Sequence, residues 1–384
     1  MIKNTPTEHV TLKAIALLAL SKNPQQIMHE LNHIDIFTAY ELAIKHGVVG
    51  QLASNLNTPV SEQKNRPIID FKKKIDSYYK HASAMTIFMD AEGLLVLRRL
   101  HAANINVTVL KGFALANTLY IHPALRPRTD IDILIHPTDQ KAIKDIFQSM
   151  GYYNLRGWEQ KAIINQFSMK KPLSKGVNVL FDIHLKISNS KSIENILNYD
   201  ELLTNADTFA LQNINLINQP YALIHAIFHL LNHRAAGDLV KLIWLYDIYL
   251  IIEQLDEKMR SDLLELIKVK GLATLVLFTL RLTSQYFSSQ KLSDWTAVIN
   301  GAEVQATANS SFDYLLGENQ GFSGFILTLK LTAGLGNKLN VIKETVLPPP
   351  AEIYAKYGEH SGWPLSLLYL RRLLFGLIKS AKNR

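Results

Sequence analysis

Between residues 10 and 56 the apolar positions recur at intervals of three and four, as in Leu12, Ile15, Ala16 and Ala19 and again in Leu42, Ala43 and Val49. This spacing predicts amphipathic helices. Residues 57–66, with Pro59 and Pro67 about them, read as a loop. A second long helical stretch covers 69–103, basic at its start (Lys72, Lys73, Lys74) and apolar later (Met85, Ile87, Phe88, Leu94, Leu95, Leu97).

The period then changes. Residues 106–110, Asn-Val-Thr-Val-Leu, are short and β-branched, so they read as a strand; Lys111-Gly112 closes it and 113–120 reads as a helix. After a proline-containing link at 122–128, residues 130–135 form a second strand. Thr138 and Asp139 mark the start of a helix that runs to Met150 and stops at Gly151. Strands follow at 166–170 and 176–187. The expected fold class is therefore α+β, with a small mixed-sheet core at 105–190 between helical regions at 1–104 and 191–384. Within the last region 195–287 reads as helical throughout, 321–336 as a glycine-rich loop, Pro348-Pro349-Pro350 as a stop, and the chain from Pro364 as a basic helix with Leu367, Leu370, Leu374 and Leu377 on one face.

A length of 384 residues allows two or three packed units. Hydrophobic residues make up 48% and charged ones 19%, which excludes a disordered chain. The net charge of +8 favours anionic partners such as phosphates, nucleotides or RNA. With no cysteine there can be no disulfide, thiol nucleophile or thiolate-bound zinc, in keeping with a reducing, cytoplasmic setting. No apolar run reaches the roughly 18–20 residues of a membrane-spanning helix, and Glu8 beside the first apolar patch argues against a secretory signal.

The candidate chemistry lies at 126–135, Arg-Pro-Arg-Thr-Asp-Ile-Asp-Ile-Leu-Ile. Side chains alternate along a strand, so Ile131, Ile133 and Ile135 face one way while Asp130, Asp132 and Leu134 face the other. Two carboxylates without a counter-charge repel one another, and a divalent cation removes that repulsion. An extended chain at Pro127 puts Arg126 and Arg128 on the same side as the aspartates, where guanidiniums suit a triphosphate. On the later strand Asp182 and His184 share a parity, making Asp182 a candidate third carboxylate. Lys111-Gly112 places a cation and free N–H groups at a helix start, where a phosphate can bind.

This order of strand, Lys-Gly, helix, Arg-x-Arg, Asp-x-Asp and later Asp resembles the DNA polymerase β-like nucleotidyltransferase superfamily. More narrowly, Val-Leu-Lys-Gly-Phe-Ala-Leu-Ala-Asn-Thr-Leu-Tyr at 109–120, the 126–135 stretch, Gly151-Tyr152 and Phe-Asp-Ile-His-Leu at 181–185 look like the uncharacterised bacterial nucleotidyltransferases. The likeness extends to Ala43–Val48 and to Trp244-Leu245-Tyr246-Asp247. It implies that Asp130, Asp132 and Asp182 are catalytic carboxylates that bind Mg²⁺ or Mn²⁺. Lys111, Gly112, Arg126, Arg128 and His184 would hold an NTP, and an NMP group would pass to an acceptor hydroxyl with release of pyrophosphate. Lys-Gly replaces the superfamily's Gly-Ser or Gly-Gly, so no hydroxyl meets the phosphate. The acceptor class, whether small molecule, protein or RNA, is not legible in the residues, nor are the base and the oligomeric state. The alternative is a catalytically weak nucleotide-binding or protein-interaction module on the same fold.

Other features keep two readings each. His225, His229 and His233 stand four apart on one helix, either as a metal ladder or as a polar face of a cleft. The basic run 64–80, with Tyr78 and Tyr79, is an RNA contact or a solvated helix face. The C-terminal helix lies on a membrane surface or packs on the body.

Overall fold

The computed structural model describes residues 6–56, 65–154, 165–173, 176–209, 214–303, 312–317, 321–348, 350–357 and 363–381. Most of the loop expected at 57–66 lies outside them. Four helices open the chain: α1 (Pro6–Leu20), α2 (Pro24–His33), α3 (Ile36–Lys45) and α4 (Val49–Asn55). The long helix α5 (Arg66–Ala102) leads into β1 (Val107–Val109), α6 (Lys111–Leu119), β2 (Ile131–Ile135), α7 (Gln140–Ser149), β3 (Tyr153–Asn154), β4 (Gln166–Pro172) and β5 (Asn178–His184). Then come α8 (Tyr199–Thr204), β6 (Asp207–Phe209), β7 (Ile214–Leu216), α9 (Gln219–Ala236), α10 (Leu242–Gln254), α11 (Glu257–Val269), α12 (Ala273–Thr283) and α13 (Gln290–Glu303).

The fold is α+β. One mixed sheet runs in the order β3-β4-β5-β2-β1-β7-β6. β2 pairs antiparallel with β1 and parallel with β5, and β1 pairs parallel with β7. All five residues of β2 and all three of β1 are buried, as expected for the middle of a sheet covered on both faces. Helix α5 packs against β5, and α6 packs against β2 and against α9 and α10. The approach of α5 is close at Gly93, where a Cβ would collide with Ile131 Cδ1.

Two expectations are corrected. The stretch 195–287 is not helical throughout: β6 and β7 extend the sheet past residue 190 to Leu216. Ile214, Leu216 and Ile217 are buried, and an apolar run this short fits strand and helix equally. The glycines at 321–336 do not make a loop. They belong to α15 (Gly321–Leu331) and α16 (Leu335–Val346), and Gly334 at φ +82° supplies the break between them. α14 (Asp313–Leu316) precedes this pair, while α17 (Pro350–Tyr357) begins at Pro350 and α18 (Leu365–Ala381) ends the description. On α18 it is Leu368 that is buried, whereas Leu367, Leu370 and Leu374 are exposed. A single hydrophobic core runs from Leu12 to Leu315 and joins the sheet to the helices on either side.

Candidate active site

Three apolar residues fix the strand that carries the site. Ile131, Ile133 and Ile135 are fully buried on one face of β2, which turns Asp132 to the other. The parallel register sets Asp132 opposite Asp182 and Leu134 opposite His184, so the two carboxylates stand on neighbouring strands about 4.8 Å apart at the backbone. Ser168 on β4, opposite Asp182, donates to Asp182 Oδ1 at 2.6 Å. Asp130 lies half-buried at the entrance to β2.

Asp132 is almost wholly buried, and its Oδ1 is fully engaged. Lys111 Nζ donates to it at 2.6 Å, and His184 Nε2 stands 2.9 Å away. A carboxylate only accepts, so His184 Nε2 carries the proton. Burial alone would raise the Asp132 pKa, but the Lys111 charge and the His184 hydrogen bond hold it well below the usual carboxylate range. Burial opposes the Lys111 charge, yet Asp132 keeps its pKa above the ordinary lysine value. Asp130 moves the other way: burial, then the charges of Asp132 and Asp182, push it up to about 6. Lys111 adopts φ +45°, a left-handed conformation that costs a side-chain-bearing residue about 1 kcal/mol or more. This strained residue is the one that brings the ammonium onto Asp132.

Both arginines of the 126–135 stretch are paired with acids from elsewhere in the chain. Arg126 Nε donates to both oxygens of Asp247 at 3.2 Å and its NH2 to Oδ2 at 2.7 Å, while Tyr120 OH donates to Asp247 Oδ1 at 2.6 Å. Arg128 pairs with Asp90 of α5 and lies over the Phe113 ring, 5.4 Å from its centre. Gly112 is the residue that admits Arg126, since a Cβ there would stand 2.6 Å from Arg126 NH1.

Helix α10, which carries Asp247, is held by a capping contact that no local pattern announces. Leu242 N donates to His46 Nδ1 at 3.2 Å and Ile243 N donates to His46 O at 3.1 Å. Burial, aided by Lys45 and Lys241, depresses the His46 pKa to about 4, so the neutral ring accepts the helix N–H. Gly47 follows at φ +73° and leaves room for Ile243.

These elements enclose a cavity of about 670 Å³. Asp130, Asp132, Lys111, Gly112, Arg126 and Arg128 line it, together with Lys45, Lys241, Trp244, His225 and His229 from the helices and their flanks. Asp182 and His184 are not among the lining residues; they back the wall through Asp132.

Among the described residues, no group of three or more His, Asp or Glu is close enough to hold a metal ion alone. The three aspartates therefore do not form a closed cage. Mg²⁺ is ordinarily held by one or two carboxylates together with substrate phosphates and water, all hard oxygens. The Asp130 carboxylate and Asp132 Oδ2 have no hydrogen-bond partner among the described residues, and burial, then the neighbouring Asp132 and Asp182 charges, raises the Asp130 pKa. This donor set fits such an ion.

The sequence-predicted residues Lys111, Gly112, Arg126, Arg128, Asp130, Asp132, Asp182 and His184 are all brought to this one region. The three ladder histidines do not come together as a metal-holding group among the described residues: His225 is buried, His229 and His233 pack around the Trp244 ring at 4.7 and 4.9 Å, and His233 Nδ1 meets Asp238 at 2.9 Å. Asp90, Tyr120, Ser168 and the capping role of His46 were missed. Asp90 alone had a signal, as an acid in the largely apolar part of α5.

An antigenic nucleotidyltransferase-like protein from Paracoccidioides brasiliensis is a structural neighbour at 16% identity and TM-score 0.31, covering 49% of this chain and 91% of that one. No curated protein matches the sequence. The family model described as "Uncharacterised nucleotidyltransferase" matches residues 32–288, two-thirds of the chain, and the protein belongs to that family.

Proposed function

We propose that the protein transfers an NMP group from an NTP to an acceptor hydroxyl, with Mg²⁺ or Mn²⁺ bound through Asp130 and Asp132. The observation that carries this reading is the register of β2 and β5, which gathers Asp130, Asp132 and Asp182 beside a basic, nucleotide-sized cavity. A bound divalent ion would supply charge neutralisation on the phosphates and on the crowded carboxylates. Lys111 and His184 both engage Oδ1 of the Asp132 carboxylate, which leaves its second oxygen free of hydrogen-bond partners among the described residues. The lining side chains would orient the two substrates.

In the reaction the acceptor oxygen bonds to the α-phosphorus, the bond from that phosphorus to the α–β bridging oxygen breaks, and pyrophosphate leaves with the electron pair. The hydroxyl proton passes to solvent or to Asp130, the cavity-lining carboxylate without a hydrogen-bond partner among the described residues, while Asp182, held at Oδ1 by Ser168, supports Asp132 from the neighbouring strand. Incubation with α-³²P-labelled NTPs, Mg²⁺ and a fractionated cell extract tests this. The expected result is labelled product with pyrophosphate, both abolished in Asp132→Asn.

A second reading, a nucleotide-binding module with little catalysis, is favoured by the compensation of Asp132 by Lys111 and His184. Nucleotide binding without label transfer or pyrophosphate from any of the four NTPs would support it instead.

A further inference from the structure

The cavity is lined by five Lys and Arg side chains, and three of them are already neutralised: Lys111 by Asp132, Arg126 by Asp247 and Arg128 by Asp90. The remaining two, Lys45 and Lys241, make no ion pair among the described residues, and both are exposed. They lie far apart in the sequence, Lys45 ending α3 and Lys241 preceding α10, yet they flank one small structural unit. His46 follows Lys45 directly and accepts the first two N–H groups of α10, directly after Lys241. Both ammonium charges press on the buried His46 ring. Lys241 is further placed by Trp244, 5.6 Å from the ring centre, and Trp244 in turn packs edge-on against His229.

We propose that Lys45 and Lys241 are the ligands of the nucleotide's phosphate chain, taking the place of a glycine-serine loop; this rests on the nucleotidyl-transfer reading above. A buried arginine held by a carboxylate has little charge left for a polyphosphate, and recruiting it would strand its partner acid as an uncompensated buried charge. An exposed lysine has neither penalty, and its ammonium serves as a mobile point charge for phosphate oxygens. The lysine pair lines the same cavity as Asp130 and Asp132, so a polyanion held by the lysines shares that cavity with the carboxylates. The Arg126 and Arg128 pairs hold the wall rather than the ligand.

The test is equilibrium binding of an NTP, of inorganic tripolyphosphate and of the matching nucleoside, each with Mg²⁺, to the wild type, Lys45→Gln, Lys241→Gln and the double variant. Each single substitution is expected to weaken NTP and tripolyphosphate by about 10-fold, and the double by about 100-fold. Nucleoside affinity is expected to stay unchanged, and the salt dependence of NTP binding to become shallower in the double variant. Because both side chains are exposed and unpaired, thermal unfolding should not move. A double variant that binds NTP as tightly as the wild type overturns the inference and leaves nucleotidyl transfer standing. A wild type that binds neither NTP nor tripolyphosphate removes both.

Discussion

Arg126 and Asp247 are 121 residues apart in sequence and meet edge to edge in the interior, with three donor-acceptor contacts between 2.7 and 3.2 Å. The pair ties the link before β2 to α10 and so joins the two sides of the cavity. Replacing Asp247 by Ala leaves a buried guanidinium without a counter-charge and Tyr120 without its acceptor. The expected loss is about 3–5 kcal/mol in urea unfolding. Combining it with Arg126→Met should restore part of that loss, because the stranded charge is then gone. If the double variant is as unstable as the sum of the singles, the pair is not coupled as described.

Gly112→Ala tests the same wall from the other side. The new methyl meets Arg126 NH1, whose far edge is fixed by Asp247, so the side chain cannot simply swing away. A destabilisation of about 1–3 kcal/mol is expected. Gly271→Ser provides a comparison with open space but φ +65°, where backbone strain alone acts. A lower melting temperature for Gly112→Ala that Arg126→Met relieves would identify the collision as the cause.

His46 makes stability depend on pH. Its folded pKa of about 4 lies below the ordinary value of 6.5, so the unfolded chain binds more protons between these limits and stability falls as pH drops through that window. Between pH 7 and pH 5 this contributes a loss of about 2 kcal/mol. Asp130, raised to about 6, acts in the opposite sense, because its folded state takes up the proton first. Chemical denaturation of wild type and His46→Gln at several pH values isolates the histidine: the variant is less stable at pH 7 but its profile is flatter by that amount.

Lys111→Met removes the cation nearest Asp132. In EDTA the variant should lose about 2 kcal/mol or more, since buried Asp132 then keeps only the His184 hydrogen bond and has lost its ion-pair partner. Added Mg²⁺ should recover more stability in this variant than in the wild type. Equal Mg²⁺ effects on the two melting temperatures would show that Lys111 and a divalent ion do not answer the same charge.

The part of the site that was legible came from local periodicity. Alternation along 130–135 told which residues face the core, and the same parity at 178–184 aligned Asp182 with Asp132, as the strand register later gave. What no local pattern carries is pairing across the chain. Nothing near Arg126 points to Asp247 and nothing near Arg128 points to Asp90, because these partners lie 121 and 38 residues away. The helices at 321–346 were hidden by glycines, each of which costs a helix only about 1 kcal/mol and is overridden by packing. The β6–β7 hairpin was hidden by its brevity, three residues a strand.

The central claim is a cavity that binds NTP together with a divalent cation at Asp130 and Asp132. Thermal unfolding with each of the four NTPs, with and without Mg²⁺, on wild type and on the Asp130→Asn, Asp132→Asn double variant measures it most directly. At least one NTP should raise the wild-type melting temperature only when Mg²⁺ is present, and the double variant should show no such metal-dependent rise. A wild type that no NTP stabilises in a metal-dependent way, or a double variant that responds as fully as the wild type, would contradict it.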